Sequence, residues 1–320
     1  MSDDSCLSPL QSRSATIHSG DAKPRHAERE DIQVMSSHDG GILTLVATPI
    51  GNMGDISARA VQCLNEADLI LCEDTRTSAK LLQAHGIRTR TRPLHDHNEQ
   101  ERIPALLDLL RQGRKIAVIS DAGTPLMSDP GYRLVRAVIA GGGHVTAVPG
   151  ANAAVMALTL SGLPPHPFMF SGFLPPRDAA RRENLSVLRA AEQAGLCATL
   201  IWHEAPHRLA DMLASLAAVF GPERPAAVAR ELTKRFEEVR RGPVGELAQH
   251  YRDHAPRGEI TVILGPPPAD DTGPQDLDTH LHEALKSLSI KDAASLVAGI
   301  VNLPRRTVYA RALELTRDAD

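Results

Sequence analysis

The sequence predicts an α/β protein: two α/β domains in tandem, closed by a small helical module. Three observations carry this. Between residues 42 and 149, short apolar runs alternate with longer stretches of helical period. After a proline-rich break at residues 161–167 (SGLPPHP), the same rhythm returns as far as residue 264. Beyond a second Pro/Gly/Asp-rich stretch, GPPPADDTGPQDLD, only helical patterns remain.

Residues 1–40 are polar, mixed in charge and without sustained period, so a disordered extension is expected there. Met35 precedes the first apolar run and is a candidate translation start. The domain at 41–160 holds the runs LTLVA (43–47), DLILC (68–72), IAVIS (116–120) and VTAV (145–148), with a weaker one around 90–94. Between them lie SARAVQCLNEA, RTSAKLLQAHG, EQERIPALLDLLRQG and GYRLVRAVIAGGG, the last three ending in the glycine a helix C-cap prefers. Strand, helix, strand in this order predicts a largely parallel sheet.

The domain at 161–264 reads FMFSGF, a helix over 178–194, CATLIWH, a helix over 206–219, AAVARE, the polar FEEVRRG, a helix near 245–252, and EITVIL. The linker is placed at 265–278 and the helical module at 279–320. Within that module Ser289-Ile-Lys-Asp292 resembles a capping box, and Asn302-Leu-Pro304 separates two helices at helix-turn-helix spacing. Ala293, Leu296, Val297 and Ile300 fall at helical spacing and are its expected core.

Composition excludes several classes. A formal net charge of −4 does not describe a polycation, and 3% aromatic residues leave little for base stacking on an aromatic sheet. The four cysteines are scattered without a C-x-x-C, against a disulfide framework or a cysteine-rich zinc site. No apolar run reaches the ~18 residues of a membrane span, and no apolar signal segment opens the chain. A soluble cytoplasmic protein is expected.

Residues 203–207 spell His-Glu-Ala-Pro-His, a literal zinc-protease string. That motif needs both histidines on one face of a continuous helix. Proline is tolerated only in a helix's first turn, so the helix must start near Pro206 and His203 falls at the end of a strand. The string therefore reads as a strand end followed by a helix start, where α/β proteins place ligand-contacting groups.

Neither a P-loop nor G-x-G-x-x-G is present. Three other Gly/Pro-rich loops do follow predicted strands: residues 48–55 (TPIGNMGD), 120–131 (SDAGTPLMSDPG) and 149–154 (PGANAA). Taken singly, each is a turn. At the carboxyl ends of strands in one sheet, they describe a shared cleft.

The motifs VATPIGNMGDI, LILCEDTRTSAKLL, SDAGTPLMSDPG, VPGANAA, FSGFLP, HEAPHRL, ARELTKRFEE and GEITVIL, in this order across residues 42–264, resemble the ribosomal RNA small subunit methyltransferase I family, within the tetrapyrrole methylase-like enzymes that use S-adenosylmethionine. The helical module is similar to that family as well; residues 1–40 are not. The resemblance implies two α/β domains with the cofactor in the cleft between them, a homodimer, and methylation of a cytidine ribose 2′-oxygen in the decoding region of small-subunit (16S) ribosomal RNA, as free RNA or as the 30S subunit. It implies cofactor contacts from Pro49, Ile50 and Gly51, from Ala122, Gly123, Thr124 and Met127, from Asn152 and Ala153, and from Glu204 and Leu232. Thr124 departs from the Gly-Gly-Asp-Pro of related methylases, exchanging a carboxylate for a hydroxyl.

A ribose hydroxyl is a poor nucleophile, so a nearby base helps to remove its proton. Glu73, Asp74 and Arg76, at the end of the second strand, are the catalytic candidates, as base and orienting contact. The same string also reads as a salt-bridge cluster in which Asp74 or Thr75 caps a helix. Lys234 and Arg235, and Arg305, Arg306 and Arg311 in the module, are either RNA contacts or solvated charges. A tetrapyrrole methyltransferase of the same fold and a non-catalytic RNA-binding protein are the alternatives. No metal is expected.

Overall fold

The computed structural model describes residues 40–268, 274–301 and 303–317. Apart from Gly40, the predicted N-terminal extension lies outside the described residues, as do 269–273 of the linker and Asn302.

Strands β1 (Ile42–Val46), β2 (Leu69–Cys72), β3 (Thr91–Pro93), β4 (Ile116–Val118) and β5 (His144–Val148) form one sheet in the order β3-β2-β4-β1-β5, every pair parallel. Parallel pairing requires crossovers, supplied by α1 (Ala58–Glu66), α2 (Thr75–Ala84), α3 (Asp96–Arg111) and α4 (Tyr132–Ala140). Successive side chains point to opposite faces. Leu71 and Val118 pack with Leu106, Leu110 and Leu134 on one side; Ile70 and Ala117 pack with Ala60, Leu64 and Leu82 on the other. Burial on both faces is why β2 and β4 read as unbroken apolar runs.

The third Gly/Pro loop is shorter than expected. Helix α5 (Ala153–Ser161) begins directly after Asn152, whose side chain accepts from the Val155 N–H at 3.1 Å. Its residues are apolar on nearly every side, so no helical period is visible in the sequence. The reason is its position: Ala154, Ala157 and Leu158 pack against Ile201, Ala227 and Ile263 of the second sheet.

That sheet runs in the order β6-β7-β10-β8-β9, formed by β6 (Phe168–Phe173), β7 (Thr199–Glu204), β8 (Pro225–Arg230), β9 (Glu238–Pro243) and β10 (Ile260–Leu264). Only β6 and β7 pair parallel. The polar stretch FEEVRRG supplies β9, an edge strand, where polar side chains are tolerated. Helices α6 (Asp178–Gln193), α7 (Leu209–Phe220) and α8 (Val244–Asp253) cover the face opposite α5 around Trp202, which is fully buried. Each fully buried aliphatic side chain around it, such as Leu200 or Leu213, contributes about 1.5–3 kcal/mol. Arg224 and Glu192 form a buried ion pair at 2.5 Å, and Arg224 Nε donates to the Gly265 carbonyl at 2.8 Å. Breaking one member of such a pair costs about 3–5 kcal/mol.

The C-terminal module is three helices, α9 (Pro274–Leu285), α10 (Ile290–Ile300) and α11 (Arg305–Arg317). Two expectations are corrected here. The stretch 265–278 is not linker to its end, because α9 starts at Pro274 and places Leu277 in the module's core. Ala293 and Val297 are core as expected, but Leu296 and Ile300 are 52% and 45% exposed. Ala294, with Leu281, Val308 and Ala312, takes the inward positions instead, because α10 is gripped between α9 and α11. Ser289 caps α10, accepting from the Asp292 N–H at 3.2 Å.

Candidate functional site

The two sheets enclose a cavity of about 390 Å³. The first sheet supplies the loops after β1 and β4 and the start of α5. The second supplies the end of β7, the aromatic residues of β6, Ala229 and Leu232 from around β8, and residues 258–261. The loops after β1 and β4 are joined by reciprocal backbone bonds between Thr48 and Gly123. The Thr48 hydroxyl also donates to the Ser120 carbonyl at 3.2 Å. Asn152 donates to the Thr124 hydroxyl at 3.3 Å, and that hydroxyl donates to the Ala151 carbonyl at 3.1 Å. Thr124 thus ties the second and third loops together, a task open to a hydroxyl.

Ile50, Ala122, Gly123, Thr124, Met127, Asn152, Ala153, Glu204 and Leu232 all line this cavity. Pro49 and Gly51 do not. Pro49 is buried beside Ile50. Gly51 serves the join between the sheets: a Cβ there would stand 2.4 Å from Lys234 Cγ and 3.0 Å from the Leu232 carbonyl oxygen. The Asn52 N–H next to it donates to the Thr233 hydroxyl at 3.1 Å. Lys234 lies in this join, bridged to Glu231 at 2.8 Å and Glu259 at 3.3 Å. Arg235 lies over the exposed ring of Phe236.

Glu204 ends β7 with its side chain fully buried. Oε1 accepts from the Ala205 N–H at 2.8 Å and stands 3.1 Å from Arg208 Nε. Oε2 is buried with no hydrogen-bond partner among the described residues. Burial raises the Glu204 carboxyl above the ordinary range, against the pull of the Ala205 N–H and Arg208. His203 precedes it on the strand, its Nδ1 3.1 Å from the Thr261 hydroxyl and its ring packed edge-on to Phe170 and tilted against Phe173. His207 sits in a separate 3₁₀ turn, Pro206–Arg208. The two histidines of the zinc-like string therefore share no helical face, for the reason Pro206 supplies.

Glu73, Asp74 and Arg76 stand outside the cavity wall. Asp74 caps α2, accepting from the Arg76 N–H at 2.8 Å, and this holds its carboxyl below the usual range. Arg76 is 92% exposed and pairs only loosely with Asp74 at 3.6 Å. The cap-and-cluster alternative is the one the geometry matches. The reason is strand order: β4 lies between β2 and β1, so the end of β2 abuts the β4 loop rather than the cleft.

The β4 loop does bring an acid to the cavity, and it is Asp129. Burial and the nearby charges of Glu73 and Asp121 push its carboxyl up to about 6, against a hydrogen bond from Ser120. The loop backbone is constrained: Leu126 and Ser128 both have φ of 72°, and Gly131 has φ of 116°. Asp129 lies within the string SDAGTPLMSDPG, but nothing in that string separates it from Asp121, which is exposed. Phe170, Phe173 and His203 were likewise hidden, being ordinary strand residues until β6 and β7 pair.

In the module, Arg305 and Arg306 are exposed at the start of α11. Arg311 is engaged within the module, bonded to both Asp278 oxygens at 2.8 and 2.7 Å and to Glu314 at 2.7 Å.

Comparison with known proteins follows the same division. Residues 43–248 match the family model described as Tetrapyrrole (Corrin/Porphyrin) Methylases, and residues 271–316 match the RsmI C-terminal HTH domain. The chain is similar to the ribosomal RNA small subunit methyltransferase I of Mesorhizobium japonicum, 46% identical over 274 residues, covering 85% of this chain and 92% of the relative. It is similar also to the protein of that name from Micromonospora olivasterospora, 46% identical over 273 residues, covering 84% and 85%. Among solved structures, a diphthine synthase superposes with a TM-score of 0.54 at 15% identity over 70% of this chain and 90% of that one. A cobalt precorrin-4 methyltransferase gives 0.51 at 17% over 70% and 94%. These two likenesses establish the fold.

Proposed function

We propose a function from one premise: the chain belongs to the tetrapyrrole methylase family, among the ribosomal RNA small subunit methyltransferases I. It is a methyltransferase, and its methyl donor is S-adenosylmethionine. Its acceptor, in this reading, is the ribose 2′-hydroxyl of a cytidine in the decoding region of 16S ribosomal RNA, presented as free RNA or in the 30S subunit.

The cleft fits the donor. At about 390 Å³ it lies within the range of ligand sites, about 300–1,000 Å³. The observation that carries the reading is that the loops after β1 and β4, the start of α5 and the end of β7 converge on one cavity, so that Ile50, Gly123, Asn152, Ala153, Glu204 and Leu232, from both sheets, line it together. Glu204 adds a carboxyl group to that lining, its Oε2 without a hydrogen-bond partner among the described residues. Ile50, Leu232, Ala229 and Phe170 offer an apolar wall for a flat ring beside it. Gly123, with φ of 81°, leaves room where a Cβ would stand 3.1 Å from Ile50. When bound, the cofactor supplies a methyl group already activated on a sulfonium. The protein's own work is to orient the acceptor hydroxyl, exclude water and accept a proton.

Arg305 and Arg306 are free to meet phosphates, whereas Arg311 serves the module's own fold. Exposed Val155, Met156 and Leu160 on α5 give a homodimer an apolar face to cover. In this reading the protein works in the cytoplasm, where ribosomal RNA is; no helix of the described residues is long and apolar enough to cross a membrane.

The test is methyl transfer from labelled S-adenosylmethionine to unmethylated small ribosomal subunits, to free 16S RNA and to uroporphyrinogen, followed by nucleoside analysis. The expected product is 2′-O-methylcytidine. Labelled tetrapyrrole, or a methyl group on a base, would overturn the reading.

A further inference from the structure

We propose that Asp129 is the general base of the methyl transfer, its carboxylate taking the proton of the acceptor hydroxyl in the cleft. This rests on the reading above, that a ribose hydroxyl is the acceptor.

The cavity wall carries four titratable side chains: Asp129, His203, Glu204 and Glu259. Three have other engagements. Glu204 is held through Oε1 by the Ala205 N–H and Arg208, and its side chain has no exposed surface from which to meet an acceptor. Glu259 pairs with Lys234 at 3.3 Å, both on loops of the second sheet. His203 is locked by Thr261 and two aromatic rings, and burial lowers its proton affinity. Among the described residues, no cation acts on Asp129. The groups around it are the Ser120 hydroxyl and the acids Glu73, after β2, and Asp121, after β4. His95 and Asp96, from the start of α3, in turn face Glu73.

Surroundings of one sign favour a carboxylate that accepts a proton. An ion-paired carboxylate is a weaker base, because its charge is already compensated. Proton affinity near the working pH is what general-base catalysis requires, and Asp129 is raised to about 6. The left-handed backbone at Leu126 and Ser128 fixes the loop that presents it. Backbone strain of this kind is kept where the surrounding structure holds a group in place. The EDTR string acquires a role of a different kind: Glu73 is a positioning residue, tuning Asp129 through its charge.

The balance of the step is simple. A lone pair of the 2′-oxygen forms the new O–CH₃ bond. The S–CH₃ bond breaks with its electron pair going to sulfur, which leaves as a neutral thioether. The hydroxyl proton passes to the Asp129 carboxylate and from there to water.

The experiment measures single-turnover methylation of unmethylated small ribosomal subunits from about pH 5 to about pH 8.5, beside calorimetric affinity for S-adenosylmethionine. The wild-type rate should rise about tenfold per pH unit up to about 6 and then level. Asp129→Asn should lose ~100-fold or more of the plateau rate while donor affinity stays within about twofold. Glu73→Gln removes a like charge, so its acid limb should move to lower pH. The same shift can be read without turnover, from the carbon-13 NMR titration of the Asp129 carboxyl. Asp129→Asn retaining a tenth of the rate would overturn the assignment. So would an unmoved acid limb in Glu73→Gln, an arm that stands even if the first variant folds poorly. A wild-type enzyme that methylates no ribosomal particle would remove the acceptor reading and this inference together. Failure of the base alone looks different: wild type and Asp129→Asn both methylate.

Discussion

Thr48 and Gly123 exchange two backbone hydrogen bonds, 2.9 Å from the Thr48 N–H and 3.1 Å from the Gly123 N–H, so the loops after the first and fourth strands act as one wall of the cleft. Gly123 can hold this position because its φ of 81° carries no Cβ penalty. A side chain there would enter the cavity beside Ile50.

Gly123→Asp is accordingly expected to abolish S-adenosylmethionine binding in calorimetry. The left-handed backbone should cost about 1–3 kcal/mol in urea unfolding, leaving the chain folded. Ala153→Trp, at the start of α5, should fill the same space with no backbone strain. Unchanged donor affinity in both variants would remove the cofactor from this cleft.

Asp129 also sets a stability signature. Its folded-state proton affinity exceeds that of the unfolded chain, so its contribution to stability is fully present below its ordinary value of 3.8 and is lost as pH rises through about 6. Asp129→Asn should therefore be more stable than wild type at about pH 8, by about 1 kcal/mol after discounting for solvent screening of a partly exposed group. The two should converge near pH 4. Urea midpoints across that range provide the check, and a variant that is less stable at pH 8 would contradict the charged surroundings assigned to Asp129.

The zinc-like string should hold no metal. His203 is on a strand and His207 in a 3₁₀ turn, and no group of three His, Cys, Asp or Glu placed to bind a metal occurs among the described residues. Purified protein should contain no stoichiometric zinc, and a chelator should leave methylation unchanged. One zinc per chain by elemental analysis would refute this.

The module's arginines should separate by role. Arg305→Ala with Arg306→Ala should weaken binding to small ribosomal subunits and lower the salt slope by about 0.7–0.9 per lost phosphate contact. Arg311→Ala breaks the bonds to Asp278 and should lower the module's own melting temperature without lowering the slope. Truncation after Pro268, ahead of α9, should leave donor affinity intact, since the cleft lies wholly within residues 50–261. A cut at residue 279 is a poorer design, because it strands the core residue Leu277. Equal salt slopes for full-length and truncated protein would make the α/β body the sole RNA grip.

The sequence by itself determined the local elements and the ends of strands where loops converge. Leu69 to Cys72 had to be a buried strand because four apolar residues flanked by acids suit little else, and Pro206 had to interrupt the zinc-like string because a ring nitrogen cannot donate inside a helix. These are properties of a few consecutive residues. Tertiary structure decided what depends on which strand lies beside which. With β4 between β2 and β1, the Glu73-Asp74-Arg76 string was moved off the cleft and Asp129 was brought to its wall. The join between sheets assigned Gly51 to Lys234 rather than to a ligand, and hid the period of α5 by giving it apolar neighbours. The grip of α9 and α11 on α10 turned Leu296 and Ile300 outward although their spacing suited a core. Spacing along a chain reports which residues share a face; only packing reports what that face meets.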